Sequence, residues 1–337
     1  MKKHLHYYIL ACILVRTEVN NTYAQSQEPF SLFRIYEDND FLNIRGKGTD
    51  ESYSNGTRFD LFYTKRHPSR FFIDRWMPAA GNSSINVFGW GLMQIMFTPR
   101  DISKTYHQGN DYPYSGALFA THSLFSYNKL EKFSFQTEIV LGVRGPAALA
   151  KESQSAIHKL INYQQPMGWN NQLKRLPLIN IGFVAEKQIA GYGDFIEIIG
   201  GVQLSAGSLL QAFGFYPMLR IGKMVPYFNG FISHYSTRRS GKRKGKSQFY
   251  LFFKPKTTFV IRNALVEGSR MHTDLQEETW SIYGVDPRAR HSLNSIEYGI
   301  VFAHGNFSIS YSESHYTEYN KGLYHHNVGN ISLYFSY

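Results

Sequence analysis

From Phe30 onward the chain repeats one theme: a run of about ten residues in which large apolar side chains alternate with small or polar ones, then a polar break carrying Gly or Asn. Alternation with period two sends successive side chains to opposite faces of a strand. No stretch of about 18 to 20 uncharged apolar residues is present to cross a bilayer as a helix, so a chain of this pattern spans a membrane with strands or not at all. In hydrocarbon every backbone N–H and C=O needs a partner, and strands meet that demand by closing into a barrel with no free edge. The clearest runs are Phe307-Ser308-Ile309-Ser310-Tyr311-Ser312 and Ile331-Ser332-Leu333-Tyr334-Phe335-Ser336-Tyr337, the second ending the chain on an aromatic residue.

The runs mark strands at 30–38, 55–64, 86–96, 115–126, 131–143, 177–189, 194–205, 208–222, 247–263, 293–303, 306–317 and 327–337, about twelve in all. The expected fold is therefore all-β: an antiparallel transmembrane β-barrel of about twelve strands, with an α-helix in one extracellular loop. An even count puts both termini on the periplasmic side. The connections 39–54, 97–114 and 144–176 then become extracellular, and the basic stretch within 223–246 falls on the periplasmic side. The 24 Tyr and 26 Phe are more aromatics than most soluble folds use.

The first residues, two lysines and then an apolar run from Tyr7 to Val15, read as a secretory signal peptide over 1–24 with cleavage after Ala24. One barrel domain follows over 25–337. Cys12 is the only cysteine, so the mature chain has no disulfide. The net charge of +11 calls for a polyanion. For an exported chain the available one is lipopolysaccharide phosphate or an anionic lipid headgroup rather than nucleic acid.

One stretch breaks the pattern. From Gly145 to Leu173 the spacing becomes helical: Leu149, Ala150, Ala156, Ile157, Leu160 and Ile161 form an apolar stripe, with Lys151, Gln154, Ser155, His158 and Asn162 on the other side. Pro146 suits a first helical position, with Gly145 before it. By itself His158 reads as a polar-face residue of a surface helix. The first external loop opens with Glu37-Asp38-Asn39-Asp40 and closes with Asp50-Glu51-Ser52-Tyr53-Ser54-Asn55-Gly56, oxygen-rich segments that suit either a solvated loop or a calcium ion. The second carries Phe97-Thr98-Pro99 and Lys104, by default a rim lysine.

Taken together, in this order and with Gly142-Val143-Arg144-Gly145-Pro146, Gln154, His158 and Gly168-Trp169-Asn170-Asn171-Gln172, these segments resemble the lipid A 3-O-deacylase family of outer-membrane enzymes, well over 30–225. The resemblance implies a twelve-stranded barrel in the cell outer membrane that hydrolyses the 3-linked acyl chain of lipid A, with calcium as cofactor. It places the water-activating histidine at His158, the acidic residue at Asp38 with Glu37 beside it as metal ligands, the hydroxyl at Ser54, and a lysine at Lys104. Gln154 and Arg144 are expected to bind substrate, and the chain is expected to act as a monomer on lipopolysaccharide. A Ser-His-Asp triad of Ser54, His158 and Asp38 is a further possibility of the same residues. An outer-membrane phospholipase, and a non-catalytic pore or adhesin, are the alternatives.

Overall fold

The computed structural model describes residues 30–44, 51–106, 108–109, 111–237, 247–267 and 290–337. The signal segment 1–24 lies outside the described residues. Twelve strands follow one another in chain order: β1 (Ser31–Asn39), β2 (Ser52–Tyr63), β3 (Ser84–Thr98), β4 (Ser115–Asn128), β5 (Phe133–Arg144), β6 (Leu176–Tyr192), β7 (Ile196–Gly207), β8 (Leu210–Lys223), β9 (Gln248–Asn263), β10 (Ser292–His304), β11 (Phe307–Tyr316) and β12 (His326–Ser336). Each pairs antiparallel with its neighbours, and β1 closes on β12 from Leu32↔Ser336 to Asn39↔Gly329. The expected strand count and closure are what the chain adopts. Among the described residues no helix is long and apolar enough to cross a membrane.

The two faces of the wall are solvated oppositely to those of a water-soluble barrel. Phe59, Leu92, Leu141, Ile179, Leu204 and Phe253 are exposed on the outside. Arg34, Arg58 and Asp60 point inward and bind one another, with Arg34 Nη2 at 2.7 Å and Arg58 Nε at 2.8 Å from the Asp60 carboxylate. Apolar residues outside and paired charges inside are what a lipid solvent selects.

Beyond β2 a short helix, α1 (Phe72–Trp76), lies on the outer wall near the end that carries the termini. Its Asp74 is held by Lys65 Nζ and His122 Nε2, both at 2.5 Å, while Phe72 and Trp76 are exposed. A second helix, α2 (Ala150–Leu160), follows β5 at the opposite rim. The segment after β8 turns back into the barrel as a 3-10 turn at Tyr227–Asn229 and a single helical turn, α3 (Phe231–His234). There Phe228, Phe231 and Ile232 pack against Leu32, Phe62, Val87, Tyr127 and Tyr334, filling the lumen at the terminal end. The described part of this connection, 224–237, thus lies at the end that carries the termini, whereas its basic stretch, 238–246, lies outside the described residues.

Candidate functional site

The outer wall at the rim opposite the termini carries the candidate site. Leaving β5, the chain bends through Gly145, whose φ of +104° is open to glycine, and a Cβ there would sit 3.0 Å from the Arg175 backbone. The helix expected from Pro146 is first a 3-10 turn, Pro146–Ala148, and Leu149 in the left-handed region separates it from α2. α2 then lies against the outside of β3 and β4. Gln94 Nε2 donates to the Ala148 carbonyl at 2.6 Å. At Gly116 the wall has no side chain, and an ideal Cβ there would be 2.4 Å from the Cβ of Ala150. Met96, Ile102, Tyr114, Ala150 and Trp169 form one buried cluster between wall, helix and loops. The second external loop is stitched to the segment after the helix, with Met167 N donating to Ile102 O at 2.8 Å and Asn171 Nδ2 to Thr105 O at 2.7 Å.

Ala150, Gln154 and His158, four residues apart, are the buried residues of α2 and so form its wall-facing side. Trp169 Nε1, which can only donate, gives its proton to Gln154 Oε1 at 2.7 Å, and this fixes the amide orientation. Gln154 Nε2 is then buried with no acceptor among the described residues. His158 Nδ1 donates to the Gln164 carbonyl at 2.6 Å, and the ring meets Tyr163 edge-on at 5.1 Å. A carbonyl cannot donate, so Nδ1 carries the proton of the neutral ring and Nε2 the basic lone pair. His158 is therefore no solvated polar-face residue. The apolar stripe is the outward one: Leu149, Ile157, Leu160 and Ile161 are 52, 55, 77 and 61 % exposed.

The first loop reaches the same outer face through a β-bulge. The β2–β3 register steps from Tyr53↔Phe97 to Asn55↔Met96, so Ser54 is an extra residue, and it shares the outer face with Asn55. Ser54 Oγ is fully buried, 2.5 Å from Thr98 Oγ1. Glu37 also faces out, where Thr57 Oγ1 (2.7 Å) and the Asn55 amide donate to its carboxylate. Asp38, one residue on, faces in. It accepts from Tyr36, from Tyr53 Oη at 3.2 Å and from Asn330 Nδ2 at 2.9 Å, and it lines a lumen cavity of about 320 Å³.

That alternation corrects two expectations. Glu37 and Asp38 stand on opposite faces of the wall and cannot chelate one ion. Asp38, in the lumen, also does not orient His158 or complete a triad with Ser54. Among the described residues no three His, Cys, Asp or Glu side chains gather to hold a metal. The Glu37–Asp38 pair therefore does not fit a calcium ion, which takes about six to eight oxygens. A carboxylate at the rim that the sequence reading left without a role is Asp40. It is 5 % exposed, in a 3-10 turn capped by Asn39, and its Oδ2 accepts from Glu51 N at 2.8 Å. Its mark in the sequence was its place in the oxygen-rich segment Glu37-Asp38-Asn39-Asp40.

Arg144 is corrected as well. It is wholly buried and points into the lumen, with Nε donating to Lys174 O at 3.1 Å and Nη1 to the carbonyls of Ala264 and Glu267. Lys151, Lys174 and Arg175 reach the surface beside α2 and line a cleft of about 620 Å³ with Trp169 and Asn170. Lys104 is half-buried and paired with Asp101 at 3.6 Å. The neighbouring Ser103 hydroxyl donates to the Asp101 carboxyl and holds it below the usual range.

A closed, externally apolar barrel with a helix roofing its outer wall defines the class: an outer-membrane β-barrel protein of the cell outer membrane. The family model described as "Outer membrane protein LpxR" matches residues 8–337, and the chain belongs to that family, the lipid A 3-O-deacylases its motifs resemble. Among solved structures, LpxR from Salmonella typhimurium superposes with a TM-score of 0.69 over 90 % of this chain and 99 % of that one, at 15 % identity, which establishes the shared fold. The β domain of the Bordetella autotransporter BrkA gives a TM-score of 0.41 over 92 % of this chain and 99 % of that one, at 11 % identity. The translocator domain of NalP from Neisseria meningitidis gives 0.39 over 98 % and 95 %, at 8 % identity. No curated protein matches this sequence.

Proposed function

We propose that this protein is an outer-membrane esterase that removes the 3-linked acyl chain of lipid A by attack of a water molecule on the ester carbonyl. The observation that carries the reading is the pair Gln154 and His158, buried side by side on the wall-facing side of α2 at the outer rim. The substrate's sugar-proximal esters lie at that depth, since lipid A occupies the outer leaflet with its chains in hydrocarbon. Family membership supports the substrate class.

In this reading His158 Nε2 takes a proton from water as the water oxygen bonds to the carbonyl carbon. The tetrahedral oxyanion accepts from the Gln154 Nε2 donors, which are desolvated and pre-oriented by Trp169. The protonated imidazole, held by the Gln164 carbonyl, then returns the proton to the sugar oxygen as the C–O bond breaks. Ser54, fixed against Thr98, supplies a hydrogen bond to substrate, and Lys104 stands at the open edge as a cation for the anionic lipid. Lys151, Lys174 and Arg175, as cations for the substrate's phosphates, take the substrate-binding role first expected of Arg144. The chain closes its barrel alone and works as a monomer. No step here passes through a metal, and the calcium requirement expected from the resemblance is open to direct titration.

The test is mass spectrometry of lipid A from outer membranes carrying wild type, His158→Ala or Gln154→Leu, each with calcium and with chelator. The expected result is loss of one 3-linked acyl chain with wild type only, and a rate about 10²- to 10³-fold lower for Gln154→Leu. Unchanged lipid A with a folded wild-type barrel sinks the reading, and release of phospholipid fatty acids instead selects the phospholipase.

A further inference from the structure

Helix α2 has three faces, although a helix on a soluble protein needs two. At about 100° per residue, Ala150, Gln154 and His158 centre on the wall. On one flank stand Ala156, Ile157 and Leu160, and on the other Lys151, Glu152 and Lys159. Both flanks are exposed, and the apolar flank shows Ile157 at 55 % and Leu160 at 77 %. Such residues on a surface facing water need an explanation.

The wall supplies one. The face of the barrel that α2 covers is the face that carries Leu92, Leu141 and Ile179, exposed at 50, 55 and 64 %, which is the lipid-contacting belt. Gly116 and Met96 seat the helix on that same face, so its apolar flank continues the belt toward the rim. A helix with apolar, wall-bound and charged sides in this order lies along the rim. An apolar flank of this kind suits hydrocarbon, and a charged one suits headgroups.

We infer that α2 is an interfacial membrane-binding element whose apolar flank, centred on Leu160 and Ile157, is immersed in the acyl chains of the outer leaflet. The occupant is bulk lipid, with Lys151 and Lys159 at headgroup height. This fixes the depth of His158 relative to the bilayer as well as its position on the barrel. It deepens the esterase reading, because a base held at acyl–sugar depth selects esters at that depth. Its geometry, however, is measured independently of any activity.

The experiment is site-directed spin labelling of the full chain in lipid vesicles. Leu160→Cys and Lys159→Cys are labelled singly in a Cys12→Ser background, with Leu141→Cys as the lipid-facing reference. Power saturation with oxygen and with a nickel chelate then reads depth. The expected result is that position 160 resembles 141, favouring oxygen, while position 159 favours the aqueous nickel reagent. Equal nickel access at 159 and 160 overturns the inference, whether or not the protein hydrolyses lipid A. A parallel Leu160→Ser variant, heat-modifiable like wild type, is expected to lose at least about tenfold in turnover of bilayer-embedded substrate while keeping its rate on a short-chain ester in detergent. An equal loss on both substrates also overturns it. If wild type is inactive on both, the esterase reading fails while the labelling result stands.

Discussion

Placing one methyl group at Gly116 tests how the helix positions the site. The ideal Cβ of an alanine there lies 2.4 Å from the Ala150 Cβ. Ordinary carbon contacts need about 3.5 to 4.0 Å, so α2 must retreat from the wall by about 1.1 to 1.6 Å. Neither atom belongs to a flexible side chain, so the strain cannot be relieved by a rotamer change. Misplacement of a catalytic group by about 1 Å costs on the order of 10²-fold in rate, equivalent to about 2.7 kcal/mol in the barrier. Gly116→Ala is therefore expected to lower lipid A deacylation on the order of 100-fold while leaving a barrel that is still heat-modifiable on gels. The second substitution Ala150→Gly removes the clash. The next atoms, the Ala150 Cα and Ala148 Cβ, lie 3.7 Å away, an ordinary distance. Introducing glycine into a helix costs up to about 1 kcal/mol of local stability, but the double variant is expected to recover most of the rate. A Gly116→Ala protein as active as wild type, or a folded double variant as inactive as the single one, refutes the argument that contact at this point sets the catalytic geometry.

Two further outcomes are expected. Residues 224–237, which fill the lumen at the terminal end, form a plug; burial and the nearby Arg220 guanidinium push its His234 down to about 3, and the His234 Nε2 donates to Tyr227 O at 2.6 Å. The neutral ring is the form that packs, so the contribution of this ring to plug stability is fully present above about pH 6.5 and declines as the pH falls from 6.5 toward 3. At pH 5 the cost is about 2 kcal/mol, and hydrogen exchange of 224–237 should accelerate beyond its intrinsic rate change unless His234 does not titrate. Because Asp38 faces the lumen, Asp38→Asn should leave deacylation within about threefold of wild type, measured by lipid A mass spectrometry, and a loss of 100-fold or more would return Asp38 to the catalytic side.

Strand positions were readable because period two survives in a barrel whatever solvent lies outside: β4 was expected at 115–126 and runs Ser115–Asn128. The helix was readable as a helix, but the side it buries was not. A stripe of Leu149, Ile157, Leu160 and Ile161 reads as a core face only if water is the alternative, and here the alternative is lipid. The same assumption left His158 on a solvated face, whereas the wall buries it with Gln154. The Glu37–Asp38 pairing failed for a different reason, since adjacent strand residues can never point the same way without a bulge, and the bulge in this region falls at Ser54. Arg144 failed because nothing in its local sequence announces the carbonyls of Ala264 and Glu267, more than a hundred residues away.

The site's place on the outside of the wall sets the kind of kinetics the proposed enzyme obeys. Its substrate need not leave the leaflet, pass a pore or enter the lumen. It arrives by lateral diffusion along the membrane plane, and the freed acyl chain starts in the same layer. The relevant concentration is then a mole fraction of lipid rather than a molarity. Diluting lipid A with inert lipid at fixed bulk concentration should slow the reaction, while diluting the whole membrane suspension should not.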